Sequence, residues 1–220
     1  MARTDKGYKG VGMEGSVARW YAASAGKDAG RYEEQAKQVA DRAPAGSKVL
    51  EVAPGPGHLS IMLARSGDYR VTGLDVSSTF VQIARKNAAE AGVQVDFLHG
   101  SASAMPFDSD SFDFVACCAA FKNFSAPVRA LREMCRVLRP AGQALVVDLR
   151  PDVSKQAVHD DVARMELGGL SRALVTFTLG SWLPRRACSK KQFEDFITQT
   201  NFRSFDIRET PMSLEVEMRK

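Results

Sequence analysis

A chain of 220 residues, 45% of them apolar, suits a single α/β domain with enough apolar side chains for one sizeable core. The net charge of +4 is mild, and the basic clusters Arg185-Arg186 and Lys190-Lys191 read as solvated surface among dispersed acids, which argues against nucleic acid as a partner. No apolar run approaches a membrane span, no apolar signal region opens the chain at Met1 to Lys6, and four cysteines lack C-x-x-C or metal-ligand spacing, so a soluble cytoplasmic protein without a bound metal is expected.

The predicted elements alternate. Residues 1–30 are Gly- and Ala-rich and are expected to form a flexible cap, anchored where Val17-Ala18-Arg19-Trp20-Tyr21 supplies apolar side chains. Residues 30–43 read as an amphipathic helix through Tyr32, Ala36 and Val39, ending before Pro44-Ala45-Gly46. Strands follow at Lys48 to Val52 and Arg70 to Leu74, and Ser77 then caps a helix through Phe80, Ile83 and Ala84 that stops at Gly92. Further strands are expected at Val95 to Leu98 and Phe112 to Cys117, then a helix from Pro127 to Leu138, halted by Arg139-Pro140-Ala141-Gly142.

The strand Ala144 to Leu149 is almost wholly apolar, as a strand covered on both faces should be. The rhythm then changes. Residues 153–187 read as helix and loop, with Leu167, Leu170, Leu174, Phe177 and Trp182 as a stripe that either joins the core or roofs an apolar acceptor. Ser189 caps a short helix, and Ser204 to Arg208 with Ser213 to Arg219 form an antiparallel hairpin. The expected fold is a doubly wound, Rossmann-like, mostly parallel seven-stranded sheet with an antiparallel C-terminal hairpin. Within one domain, residues 45–150 form the core, 151–200 cover the substrate and 201–220 make the hairpin.

Chemistry collects at the strand ends, where open parallel sheets bind ligands. Val49-Leu50-Glu51-Val52 runs into Ala53-Pro54-Gly55-Pro56-Gly57, and the absence of a Cβ at the two glycines lets the backbone turn sharply and approach a ligand. Asp75 closes the second strand, placed to accept from both hydroxyls of a ribose, and Gly100-Ser101-Ala102 follows the third strand near an adenine edge. The dinucleotide fingerprint G-x-G-x-x-G/A is not met, because Ser60 stands third and Pro56 stiffens the turn. Glu51 would repel a pyrophosphate and suits a ligand bearing positive charge.

Glu51-x-x-x-Gly55-x-Gly57, Asp75, and Met105-Pro106-Phe107-x-x-x-x-Phe112-Asp113 resemble class I S-adenosylmethionine-dependent methyltransferases. Phe121-Lys122-Asn123 and Leu131-Arg132-Glu133-Met134-x-Arg136-Val137-Leu138-Arg139-Pro140-x-Gly142 resemble the ubiquinone/menaquinone-biosynthesis group within them, over roughly residues 45–150. The resemblance implies S-adenosyl-L-methionine as cofactor and S-adenosyl-L-homocysteine as product. Glu51 and the backbone of Ala53, Pro54, Gly55, Pro56 and Gly57 would hold the methionine moiety, and Asp75 the ribose. Val76, Ser101 and Ala102 would adjoin the adenine, with Cys118 and Ala119 beside the cofactor. Many relatives carry Asp where Ser101 stands.

Lys122, Asn123 and Tyr21 are the candidates to orient an oxygen of a small, aromatic or apolar acceptor. Asp113, His58, His99 and His159 read as structural, and Asp148 either faces the site or caps a loop. A nucleic-acid or protein methyltransferase is disfavoured because Cys117-Cys118-Ala119-Ala120 stands where Asn-Pro-Pro-Tyr would be expected. A nicotinamide-dependent oxidoreductase or a non-catalytic nucleotide-binding module is the remaining alternative. The identity of the methylated atom and the oligomeric state stay open.

Overall fold

The computed structural model describes residues 7–9, 12–25, 29–165 and 169–220. The expectations placed on Met1 to Lys6 and on Leu167 lie outside these residues. Seven strands form one sheet in the order β3-β2-β1-β4-β5-β7-β6. Strands β1 (Lys48–Val52), β2 (Arg70–Asp75), β3 (Asp96–His99), β4 (Phe112–Cys118) and β5 (Leu138–Leu149) are parallel to one another. Strands β6 (Ser204–Glu209) and β7 (Ser213–Arg219) are antiparallel, β7 lying between β5 and β6.

Eight α-helices are described: α1 (Gly15–Ala25), α2 (Ala29–Ala40), α3 (His58–Arg65), α4 (Ser78–Glu90), α5 (Pro127–Val137), α6 (Lys155–Arg164), α7 (Gly169–Phe177) and α8 (Lys190–Ile197). The expected caps are present. Ser77 accepts from the Phe80 amide at 3.1 Å, and Ser189 and Gln192 form a reciprocal capping box at the start of α8.

Period-two alternation sorts the central strands between two apolar layers. Leu50, Val52, Val115, Cys117 and Val146 face one side and pack with α5 and α8 through Leu131, Met134, Phe193 and Ile197. Val49, Phe114, Ala116 and Leu145 face the other, against Val39 of α2 and Leu59 and Leu63 of α3. This alternation decides where Glu51 points. It shares the face of Val49, so its carboxyl meets α3.

Three differences from expectation have local causes. The expected anchor at Val17 to Tyr21 lies within a helix: α1 buries Ala18 completely, sets Tyr21 edge-on to Phe80 with ring centroids 5.8 Å apart, and donates its Gly15 amide to Thr79 at 3.0 Å. Strand β5 begins at Leu138 rather than Ala144, because Leu138 pairs with Phe112 before the register shifts and resumes at Phe114 with Gln143. The stripe after β5 is not core where it is described: Leu174, Phe177 and Trp182 are 56%, 64% and 51% exposed. Helix α7 continues directly into a π-helical turn, Thr178–Trp182, with no buried residue.

Candidate active site

The chain passes from β1 outward to β2 and β3, then returns to place β4 on the other side of β1. The order therefore reverses beside β1, and the strand ends there form the crevice where such sheets take ligands. Both strands leave the sheet through strained residues. Ala53 after β1 and Ala119 after β4 each have φ of 59°, in the left-handed region that a side chain disfavours. Their amides are held by strand carbonyls, Ala53 to Leu74 at 2.8 Å and Ala119 to Val147 at 2.7 Å.

Glycine is required once the turn enters α3. Gly57 has φ of 84°, and a Cβ there would lie 2.7 Å from the Phe97 ring and 3.0 Å from Ala84. Gly55, with φ of 55°, donates its amide to Asp75 Oδ2 at 3.0 Å. Asp75 Oδ1 accepts from the Ser77 amide at 2.8 Å, so one carboxyl joins the turns after β1 and β2. Asp75 is buried, and that burial pushes its pKa up to about 6 against these amide bonds.

Glu51 lies deeper. It is buried, and the Ser60 hydroxyl on α3 donates to its Oε2. Burial raises its pKa to about 7; Ser60 pulls it down and the neighbouring Asp75 pushes it up. Among the described residues the largest influences on Glu51 include no cation. Two buried carboxyls thus stand on adjacent strands, each with its pKa raised by burial.

The other cofactor candidates fall around these two. Val76, Ser101 and Ala102 are partly buried at the ends of β2 and β3. The Ser101 hydroxyl accepts from the Ser103 amide at 3.2 Å and keeps a second lone pair. Cys118 is partly exposed at the end of β4, and burial of its thiol raises the pKa, so it is inert as a nucleophile at neutral pH.

The acceptor candidates separate. Lys122 is engaged elsewhere: its ammonium donates to Asp148 Oδ1 at 2.7 Å and to the Ala119 carbonyl at 2.5 Å, and its amide donates to Asp148 Oδ2 at 2.7 Å. Both side chains are buried, so the pair fixes the strained turn after β4 and its ammonium does not present itself to an acceptor. Asp148, left open by the sequence, takes that same structural part. Asn123 has a buried Oδ1 with no partner among the described residues, an acceptor awaiting a donor. Tyr21 is half-buried against Phe80.

Asp113 belongs to the far edge of the sheet, accepting from the Lys48 amide at 2.8 Å and Arg139 at 2.6 Å. The groove of about 440 Å³ at that edge is lined by Arg42, Asp113 and Arg139, whose charges are paired with Glu217 and with each other. It is remote from the switch point and offers no uncompensated group. His58 packs tilted against Tyr32 with ring centroids 5.0 Å apart, its buried Nε2 unpartnered among the described residues and its pKa lowered by burial. His99 Nε2 bonds the Val76 carbonyl at 3.1 Å.

Sequence reasoning missed the contributions of Tyr8, Glu14 and Arg186. Glu14 accepts from the amides of Ser78 and Thr79 at 2.8 and 3.1 Å, capping α4 from 64 residues away. No local pattern announces such a contact.

Residues 49–142 match the profile of the Methyltransferase domain family. The fold is that of the class I methyltransferases, as the sequence resemblance implied, and an S-adenosyl-L-methionine-dependent methyltransferase assigned in Methanococcus maripaludis superposes with a TM-score of 0.78 at 18% identity, over 96% of this chain and 95% of that one. Among curated proteins, the chain is 37% identical over 112 residues to demethylmenaquinone methyltransferase of Thermus thermophilus, half of each sequence. The chain spans about half the length of the curated relatives it matches. The same fold also serves the (4+2)-cyclase SpnF, with a TM-score of 0.64 at 21% identity, covering 86% of this chain and 80% of that one. Fold alone does not dictate the reaction. Among the described residues no helix is long and apolar enough to cross a membrane, and no cluster of His, Cys, Asp or Glu is arranged to hold a metal.

Proposed function

We propose that this chain is an S-adenosylmethionine-dependent methyltransferase acting on a small, aromatic or apolar molecule. The observation that carries this reading is the buried Glu51, held by Ser60 and, among the described residues, with no cation in its largest influences, beside a buried Asp75. A buried carboxylate without a cation is costly and therefore rises in pKa. A ligand bearing an ammonium and a sulfonium, with ribose hydroxyls to donate and no phosphate to repel, matches that pair. A dinucleotide would bring pyrophosphate against it.

In this reading Glu51 holds the amino group of the methionine moiety, and the Ala53–Gly57 turn follows its chain. Asp75 keeps one lone pair on each oxygen after accepting from Gly55 and Ser77, enough to receive two ribose hydroxyls. Val76, Ser101 and Ala102 border the base, and Cys118 and Ala119 close the far side. The bound cofactor supplies a methyl group on cationic sulfur, whose in-line displacement leaves a neutral thioether. The chain has to align the acceptor and exclude water. Lys122 and Asp148 would serve alignment by fixing the turn after β4, while Asn123 Oδ1 and Tyr21 would meet an acceptor hydroxyl or N–H.

We infer further that residues 45–150 form the cofactor-binding core and that 151–200 together with the N-terminal segment cover the acceptor. The similarity to demethylmenaquinone methyltransferase over half the chain supports a ring-bearing acceptor. An acceptor panel of phenols, quinols, amines, peptides and oligonucleotides, read by S-adenosylhomocysteine release, tests this. Turnover confined to the apolar ring compounds is expected. Turnover on the peptides or oligonucleotides alone would overturn the acceptor class.

A further inference from the structure

Gly7, Tyr8 and Lys9 cross the ligand edge of the sheet. A Cβ on Gly7 would lie 3.0 Å from Val76 Cγ2 and 3.1 Å from Ser101 Oγ, so its backbone rests on the residues that end β2 and follow β3. Tyr8 forms an antiparallel bridge with Phe124, and the Lys9 amide donates to the Asn123 carbonyl at 2.8 Å, in the turn beyond β4. Three residues thus span the switch point from one side to the other, above Asp75. Tyr8 is partly buried, and that burial raises the pKa of its phenol, with Tyr21 and Asp75 adding to the rise and Arg186 opposing it.

A single side chain ties this segment to the region after β5. Arg186 donates through Nη2 to the Lys9 carbonyl, and its guanidinium lies 5.9 Å from the Tyr8 ring and 5.4 Å from the Trp182 ring. A guanidinium between two aromatic faces gains from both quadrupoles while its N–H groups remain free to donate.

We propose that Tyr8 faces the bound cofactor and seals that end of the crevice, and that Arg186 is its positioning residue, acting through the Lys9 carbonyl and the Tyr8 ring. This rests on the proposed function, since it takes the crevice between Glu51 and Asp75 as the cofactor site. Cofactor exchange then requires the Arg186 contacts to part.

S-adenosylhomocysteine is the probe, with affinity measured by calorimetry and release by stopped flow. Tyr8→Ala and Arg186→Ala are each expected to weaken binding about tenfold, mainly through faster release, as loss of a charged hydrogen bond and a cation–π contact implies. The double variant should be no weaker than either single one, because both act on one contact. Arg186→Lys, which keeps the donor and loses the stacking, should fall between. Arg185→Ala, an exposed neighbour, should match the parent protein. Release from Arg186→Ala at the parent rate overturns the proposal, even if the variant melts lower, and so do effects that multiply in the double variant. If the parent protein itself does not bind S-adenosylhomocysteine, the proposed function falls and takes this inference with it.

Discussion

The Ser60 hydroxyl on α3 donates to the carboxyl of Glu51 on β1 inside the protein, and with the Ser60 amide it favours ionisation of a group whose pKa burial has raised to about 7. Cofactor binding and protonation are therefore linked. A ligand ammonium beside Glu51 favours the carboxylate, so binding must expel whatever proton the free protein carries there. Affinity for S-adenosylmethionine is expected to rise as pH rises from about 6 to about 8 and to level off above, with proton release seen by calorimetry in buffers of differing ionisation enthalpy. A flat profile would show that no cation meets Glu51.

Ser60→Ala removes the hydroxyl contact that lowers the Glu51 pKa and leaves the Ser60 amide contact in place. The midpoint of that binding profile should move above its parent value, toward alkaline pH, and affinity at neutral pH should drop severalfold. An unmoved midpoint would mean that Ser60 only fills space.

The stability of the free protein should run the other way. The folded pKa of Glu51, about 7, lies above its ordinary value of 4.5, so the folded chain binds more protons than the unfolded one between those values. Stability from this group is present in full below pH 4.5 and is lost as pH rises through 7, a change of about 3 kcal/mol. Asp75 acts in the same direction between 3.8 and about 6. Denaturant melts across this range should show the decline, and Glu51→Gln should remove its upper part.

Lys122→Met tests the buried pair. It leaves Asp148 buried and unpaired, which costs about 3–5 kcal/mol, whereas Lys122→Met with Asp148→Leu should recover most of that loss. Full stability in the single variant, with catalysis lost, would return Lys122 to the role of an acceptor-orienting residue.

Gly57→Ala forces a side chain at φ of 84° onto the Phe97 ring. The expected destabilisation is about 2 kcal/mol or more, together with loss of cofactor affinity as the turn opens. Urea denaturation and calorimetry on the same sample separate the two effects.

Much of this was legible locally. The short apolar run Val49-Leu50-Glu51-Val52 predicts a strand, and the Gly55–Gly57 turn with Asp75 twenty residues past Gly55 predicts a ligand site at the strand ends. The caps at Ser77 and Ser189 follow from the same short-range rules. What escaped depends on residues brought together from a distance. Lys122 finds Asp148 across 26 residues, and Lys9 finds Arg186 across 177. Leu174, Phe177 and Trp182 carry core-like side chains at helical spacing, yet spacing does not say whether a partner surface exists, and on α7 and the turn after it they remain exposed. The Phe121-Lys122-Asn123 run marked the right turn, but not that its lysine would point inward while its asparagine kept an unpaired acceptor.

The central claim is that the crevice at Glu51 and Asp75 takes a cationic, phosphate-free cofactor. Titration calorimetry of S-adenosylmethionine and of NADH at pH 7.5 against the parent protein, Glu51→Gln and Asp75→Ala tests it most directly. The account predicts that the parent binds S-adenosylmethionine and not NADH, and that each variant loses at least tenfold in affinity, the loss of one charged hydrogen bond. Binding of NADH alone, or S-adenosylmethionine affinity unchanged in both variants, would contradict it.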